Sequence, residues 1–168
     1  MFSKDRVDFG SDLLIQTFLK EHPPGPSKYI ADVGCGYGPI GLTIAKVSPH
    51  HQLYMLDVNN RALALTEKNK TKNQIENAEI IESDCLSGVS DQQFDYILTN
   101  PPIRAGKDVV HRIFEEAYGK LKDQGALYVV IQKKQGMPSA KKKMQECFNH
   151  VEVVNKSKGY YILKSLKG

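Results

Sequence analysis

Asn100, Pro101, Pro102 and Ile103 follow a short apolar run, residues 94–99, and form a corner whose chemistry is readable from residue types alone. Two successive prolines remove two backbone N–H donors and fix φ at both positions. The Asn100 carboxamide and the carbonyls of Asn100 and Pro101 then point in set directions, which suits the gripping of a planar amino group. Such a nitrogen is a weak nucleophile while its lone pair is delocalised into a ring. Asn100 Oδ1 and the Pro101 carbonyl can accept its two N–H bonds and turn it toward tetrahedral geometry for in-line attack. No strong base is needed, because proximity and alignment can lower such a barrier by about 7–11 kcal/mol. Asn100 is therefore read as an orienting catalytic group, with Pro101 and Pro102 as its rigid frame. The plain alternative is a turn that closes a strand.

A second constellation lies upstream, where Asp32, Val33, Gly34, Cys35, Gly36, Tyr37 and Gly38 run directly into Pro39. Glycine lets the chain turn sharply and approach a ligand closely. The dinucleotide fingerprint G-x-G-x-x-G would need its third glycine at position 39, and Pro39 stands there, which disfavours a pyrophosphate. The spacing G-x-G-x-G behind an acid suits a ligand with a cationic or amino-acid head, and Asp32 can pair with an ammonium directly or through water. Asp57 ends the second strand, 23 residues after Gly34, where a carboxylate can accept from two ribose hydroxyls. Asp84, followed by Cys85 at the end of the third strand, can accept from an adenine amino group while the neighbouring backbone meets the ring. Alone, Asp84 reads as a turn residue. The acids at successive strand ends together indicate an adenosine.

These positions need a scaffold, and the periodicity supplies one. Ser11 is placed as the cap of a helix carrying Leu14, Ile15, Phe18 and Leu19, ended by the proline-rich stretch 22–26. Strands are expected at residues 29–33, 52–56, 79–82, 94–99, 126–132, 151–154 and 160–163, and helices at 39–47, 61–72, 109–121 and 139–148. Alternation of strand and helix predicts an α/β fold, doubly wound around a mostly parallel seven-stranded sheet with helices on both faces. Too few residues join the last two strands for a crossover, so they are expected to pair antiparallel. The length of 168 residues fits a single domain spanning 1–168.

Composition narrows the surroundings. The longest apolar runs fall short of a membrane span, and residues 1–6 lack a secretory apolar segment, so the chain is read as soluble and cytoplasmic. Cys35, Cys85 and Cys147 are odd in number with no C-x-x-C spacing, which argues against disulfides or zinc, and no metal site is expected. The net charge of +4 is uneven: residues 1–100 hold 9 Lys+Arg against 13 Asp+Glu, residues 101–168 hold 14 against 6. A basic half beside the corner suits a polyanion such as nucleic acid, the alternative being a solvated lysine-rich surface.

The loop 32–38, Asp57, Asp84 and Asn100-Pro101-Pro102 stand in the order and spacing of the class I methyltransferases that use S-adenosylmethionine, and the chain resembles that family over nearly its full length. The resemblance implies a Rossmann-like fold and S-adenosylmethionine as cofactor, bound by Asp32, Gly34, Cys35, Gly36, Gly38, Asp57, Asp84, Cys85 and Asn100. Tyr37 can border the methionine portion or serve ordinary packing. An Asn-Pro-Pro corner resembles the subset that methylates adenine N6, guanine N2 or a glutamine side chain. The opening Val7-Asp8-Phe9-Gly10-Ser11 and the run 100–107 look most like the small-subunit ribosomal RNA guanine-N2 methyltransferases, which implies that rRNA, or the assembling subunit, is the partner. Members of that group often carry residues upstream of this segment, so Met1 can mark a trimmed or alternative start.

On the substrate side, Ile103 departs from the aromatic residue that many amino methyltransferases place after the second proline. Stacking on an aromatic contributes about 1–3 kcal/mol per base, so its absence lowers the adenine-N6 and glutamine readings. Arg104 and Lys107 follow the corner and can hold phosphates beside the target base. Lys133 and Lys134 leave the fifth strand, where Lys133 is read with Ile103, Arg104 and Lys107 as substrate-binding, and Lys141, Lys142 and Lys143 lie on the next helix; such a run is more often solvent-facing charge than a site. His111 is read as surface or packing. A protein glutamine methyltransferase, and a non-catalytic cofactor- or RNA-binding module with no need of Asn100, are the alternatives.

Overall fold

Alternation decides which face of the sheet each residue meets, and residues 126–131 show it most plainly. Ala126, Tyr128 and Val130 pack with one buried cluster, while Leu127, Val129 and Ile131 pack with the other. The computed structural model describes residues 8–168. Residues 1–7 lie outside this range, including Val7 of the opening motif and the stretch read as lacking a secretory segment.

The elements in order are α1 (Phe9–Glu21), β1 (Tyr29–Val33), α2 (Pro39–Val47), β2 (Gln52–Asp57), α3 (Asn60–Lys72), β3 (Ala78–Glu82), β4 (Phe94–Thr99), α4 (Lys107–Lys120), β5 (Leu121–Gln132), α5 (Met137–Phe148), β6 (Glu152–Ser157) and β7 (Tyr160–Leu166). One seven-stranded sheet has the order β3-β2-β1-β4-β5-β7-β6. The first five strands are mutually parallel, and β7 runs antiparallel to both β5 and β6. Leu14 and Phe18 of α1, with Leu42 and Ile44 of α2, cover one face. Val110, Ile113 and Phe114 of α4, with Met144 and Phe148 of α5, cover the other. No helix among the described residues is long and apolar enough to cross a membrane.

Several sequence expectations need correction. The boundaries of α5, β6 and β7 extend beyond or shift from those expected, to Met137–Phe148, Glu152–Ser157 and Tyr160–Leu166. Ser11 does not cap α1: Asp8 does, its Oδ1 accepting from the Ser11 N–H at 2.9 Å, and Ser11 lies inside the first turn. Both residue types cap well, and Asp8 reaches an unpaired N–H one turn earlier. The strand expected from 126 begins at Leu121, because Leu121 pairs with Phe94 across an irregularity that restores register at Tyr96↔Ala126. Helix α4 accordingly spans Lys107–Lys120 rather than 109–121.

One acid sits inside this core. Asp32 of β1 is 1% exposed; its Oδ2 accepts from the Gly41 N–H at 3.0 Å and its Oδ1 has no partner among the described residues. Burial, above all, raises the carboxyl to about 7, against the Gly41 hydrogen bond and with help from the charge of Asp57. The folded state thus holds the proton more tightly than the unfolded chain. Asp32 therefore contributes most to stability below the ordinary carboxylate value, and that contribution is lost as pH rises through about 7. Asp32→Asn, free of this titration, is expected to gain in urea midpoint over the parent chain as pH goes from 5 to 8, with no cofactor added. A midpoint difference independent of pH would contradict the assignment.

Candidate active site

The sheet order reverses direction at β1 and β4, and the loops after these two strands open a crevice at their carboxyl ends. Val33 and Thr99 are register partners on the last rung. The Thr99 hydroxyl donates to the Val33 carbonyl at 2.8 Å, locking the two strand ends level. The glycine loop and the Asn-Pro-Pro corner consequently face each other, and a Cβ built on Gly34 would lie 3.8 Å from Pro102 Cδ.

The loop is held from β2 and α3. The N–H groups of Gly34 and Cys35 donate to the Leu56 carbonyl at 2.8 and 2.9 Å, and the Gly36 N–H donates to Asp57 Oδ2 at 2.9 Å. Thr66 Oγ1 donates to the Gly36 carbonyl at 2.7 Å, and Asn69 Nδ2 to the Tyr37 carbonyl at 2.9 Å. Gly38 must be glycine: its φ is +96°, and a Cβ there would lie 2.8 Å from Leu42 Cδ1.

Asp57 is half-buried, with Oδ1 accepting from the Asn59 N–H at 2.9 Å. Each of its oxygens keeps acceptor capacity for a ribose. Asp84 is exposed, and its Oδ2 meets Arg112 Nη1 at 2.9 Å. Arg112 Nε is 2.7 Å from Glu116 Oε2, and Glu116 Oε1 accepts from the Leu86 N–H at 2.9 Å. Helix α4 thereby fixes the turn after β3, where Cys85 adopts φ +55°.

A cavity of about 230 Å³ lies among these pieces, lined by Gly34, Asp57, Asp84, Cys85, Pro102 and Val109 with their neighbours. Burial pushes the Cys85 thiol up to about 11, helped by Glu116, and burial also drives the Cys35 thiol upward. Both are neutral thiols and part of the packing. Asp32 lies beneath the loop instead of lining this cavity, so direct pairing with a ligand's ammonium is not offered. Its unpartnered Oδ1 nevertheless leaves a buried acid under the loop that a nearby positive charge would keep ionised. Apolar walls, two carboxylates at strand ends and that acid fit an adenosine-bearing cation.

At the corner, Pro101 is buried, Asn100 half-buried and Pro102 exposed. Asn100 Nδ2 donates to Ser11 Oγ at 3.1 Å and lies 3.5 Å from Asp8 Oδ1. The carboxamide is thus held by its nitrogen, which leaves Oδ1 as the end available for accepting. In the sequence Asp8 and Ser11 stand in the opening motif, Ser11 as a helix cap, with nothing to link them to Asn100; a separation of about ninety residues hides the contact.

The turn Ile103–Ala105 and the start of α4 separate this cavity from another of about 180 Å³, which Ile103 and Lys107 line with His111, Gln135 and Ser139. Arg104 and Lys133 are exposed at the same end of the sheet. The lysines of α5 are not one patch, since Lys143 Nζ pairs with Glu115 at 2.7 Å. His111 Nε2 is 3.3 Å from Ser139 Oγ, and the ring stacks on Phe114, as packing requires.

Known proteins resemble this chain in sequence and fold. Residues 1–164 fit the model of the methyltransferase small domain. YbxB of Bacillus subtilis, itself uncharacterised, is 54% identical over 168 residues, covering 99% of this chain and 82% of that protein. The ribosomal RNA small subunit methyltransferase C of Pasteurella multocida is 39% identical over 116 residues, 69% of this chain and 34% of that protein. A solved Thermus thermophilus 16S rRNA N2 G1207 methyltransferase, in complex with AdoMet and guanosine, superposes with a TM-score of 0.88 at 23% identity, over 99% of this chain and 45% of that one. This chain spans less than half the length of these two ribosomal RNA methyltransferases. Glycine loop, acidic strand ends and corner are here assembled on the matching sheet, and the chain belongs to the methyltransferase small domain family of S-adenosylmethionine-dependent class I methyltransferases.

Proposed function

We propose that this chain methylates the exocyclic N2 amino group of a guanine in small-subunit ribosomal RNA. The observation that carries the reading is the Asn100 carboxamide, held by its nitrogen at Ser11 and Asp8 so that Oδ1 is presented beside two prolines. The ribosomal RNA relatives support the substrate class. The absence of an aromatic ring at Ile103 weighs against a stacked adenine.

S-Adenosylmethionine supplies, when bound, a methyl group on a positively charged sulfur, open to in-line attack. In the chain's own contribution, Asp57 takes the ribose hydroxyls, and Asp84 uses the oxygen that Arg112 leaves free to accept from the adenine amino group. The loop 34–38 lies against the remainder, with Asp32 as the buried counter-charge. Asn100 Oδ1 and the Pro101 carbonyl accept the two N–H bonds of the guanine amino group, which localises the lone pair on nitrogen. One of these N–H bonds is the one that finally breaks, its proton passing to water at the open corner. Arg104, Lys107 and Lys133 hold phosphates around the target and set affinity more than rate.

With labelled cofactor and unmodified small-subunit rRNA, the purified protein is expected to yield labelled N2-methylguanosine on nucleoside digestion. A different modified nucleoside, or label in protein alone, would reject the reading. Asn100→Ala should lower kcat by about 100-fold or more, since misplacing a reacting group by about 1 Å has that effect. Ser11→Ala, which loses one hydrogen bond to the carboxamide, should lower kcat by about fivefold at the same cofactor affinity. Equal kcat for Asn100→Ala and the parent chain would remove Asn100 from the mechanism.

A further inference from the structure

Ile103 offers no ring at the corner, yet rings stand beside it. Phe9, next to Asp8 in the first turn of α1, is 36% exposed, and its ring lies 5.5 Å from that of Tyr160 at the start of β7. Tyr160 is seated closely on Gly10, where an added Cβ would come within 2.8 Å of its Cε2. Lys158 Nζ lies 5.0 Å from the Phe9 centroid. The pair is tied to the corner through Asp8 and Ser11, which flank Phe9 and hold Asn100.

The hairpin that carries Tyr160 and Lys158 reaches this edge because β7 runs antiparallel. Gln132 at the carboxyl end of β5 pairs with Tyr160 at the amino end of β7, and the Lys133 N–H donates to the Gly159 carbonyl at 2.9 Å. Lys133, Lys134 and Lys158 are therefore gathered along one rim, all exposed, and none forms an ion pair among the described residues. An exposed Phe9 backed by the half-buried Tyr160, and bordered by cations without an ion pair among the described residues, complements a single-stranded nucleic acid, whose bases have π-faces and whose backbone is anionic. A nucleic acid supplies both a ring face and a phosphate from each nucleotide, which fits rings and lysines set side by side.

We infer that Phe9 and Tyr160 form a stacking ledge for a nucleotide flanking the target base, with Lys158 and Lys133 on the adjoining phosphates. The inference rests on the RNA reading above and adds to it where the strand lies. It places the aromatic contribution missing at Ile103 on a neighbouring base, so that the target amino group is free to enter the corner.

The test is steady-state methylation of unmodified small-subunit rRNA by the parent chain and by Phe9→Ala, Phe9→Leu and Phe9→Trp. Phe9→Ala should raise KM for the RNA by about fivefold or more, with kcat within about twofold and cofactor affinity unchanged. Phe9→Leu should retain the defect although it keeps apolar packing against Tyr160, and Phe9→Trp should restore KM. Lys158→Gln should lower the steepness with which RNA affinity falls with salt by about one in the log–log slope. Unchanged KM in Phe9→Ala, full rescue by Phe9→Leu, or a loss in kcat alone would overturn the ledge while leaving the methyltransferase reading intact. No methyl transfer to RNA by the parent chain would overturn both.

Discussion

The Thr99 hydroxyl on the Val33 carbonyl closes the last rung between two parallel strands whose following loops diverge to opposite faces of the sheet. Without that level ending, the glycine loop and the corner would still form, but they would not confront each other across a gap. Parallel register fixes strand ends only as well as the packing on both faces does, and here both faces are filled by buried side chains of α1, α2, α4 and α5. The chemistry is consequently borne by loops whose freedom has been removed from behind, by Leu56, Asp57, Thr66 and Asn69 on one side and by Asp8 and Ser11 on the other.

Much of this was legible in the sequence because its physics is local. Period-two runs, helix-period runs and the Gly-Pro punctuation gave β1, α2 and β4 at the boundaries observed. The shift of β5 to Leu121 was not legible, since it depends on Leu121 meeting Phe94, a pairing between distant residues. The cap of α1 was misplaced by three residues because Asp8 and Ser11 are equally suited to the position. At the candidate site, the loop, acids and corner were singled out by type and spacing. Their supports were not: Arg112 grips Asp84 from 28 residues away, and Asp8 is 92 residues from Asn100.

Charge behaves in the same way. The basic second half of the chain suggested one surface, yet Lys143, Lys122 and Lys164 are paired with Glu115, Asp95 and Glu21, and Lys120 and Lys167 donate to backbone carbonyls. Lysines that hold helices and strands together add to net charge without adding to an anion-binding field. Exposed pairs of this kind contribute little to stability individually, about 0–1 kcal/mol each, so their arrangement chiefly decides which cations stay available. Lys133, Lys134 and Lys158, at the carboxyl edge of the central strands, form no ion pair among the described residues.

The antiparallel β7 has a consequence for how such a protein can diversify. A parallel strand in its place would send its amino end, and the turn before it, to the far side of the sheet. Reversal brings a short hairpin, residues 157–160, to the working edge beside Phe9. The half built on β1, β2 and β3 shares no strand pairing with that hairpin. Residues can therefore be exchanged or inserted at the hairpin tip while β1, β2 and β3 keep their register. The fold thus brings a two-stranded turn to the working edge without tying it to the strands that end in the glycine loop and the acids.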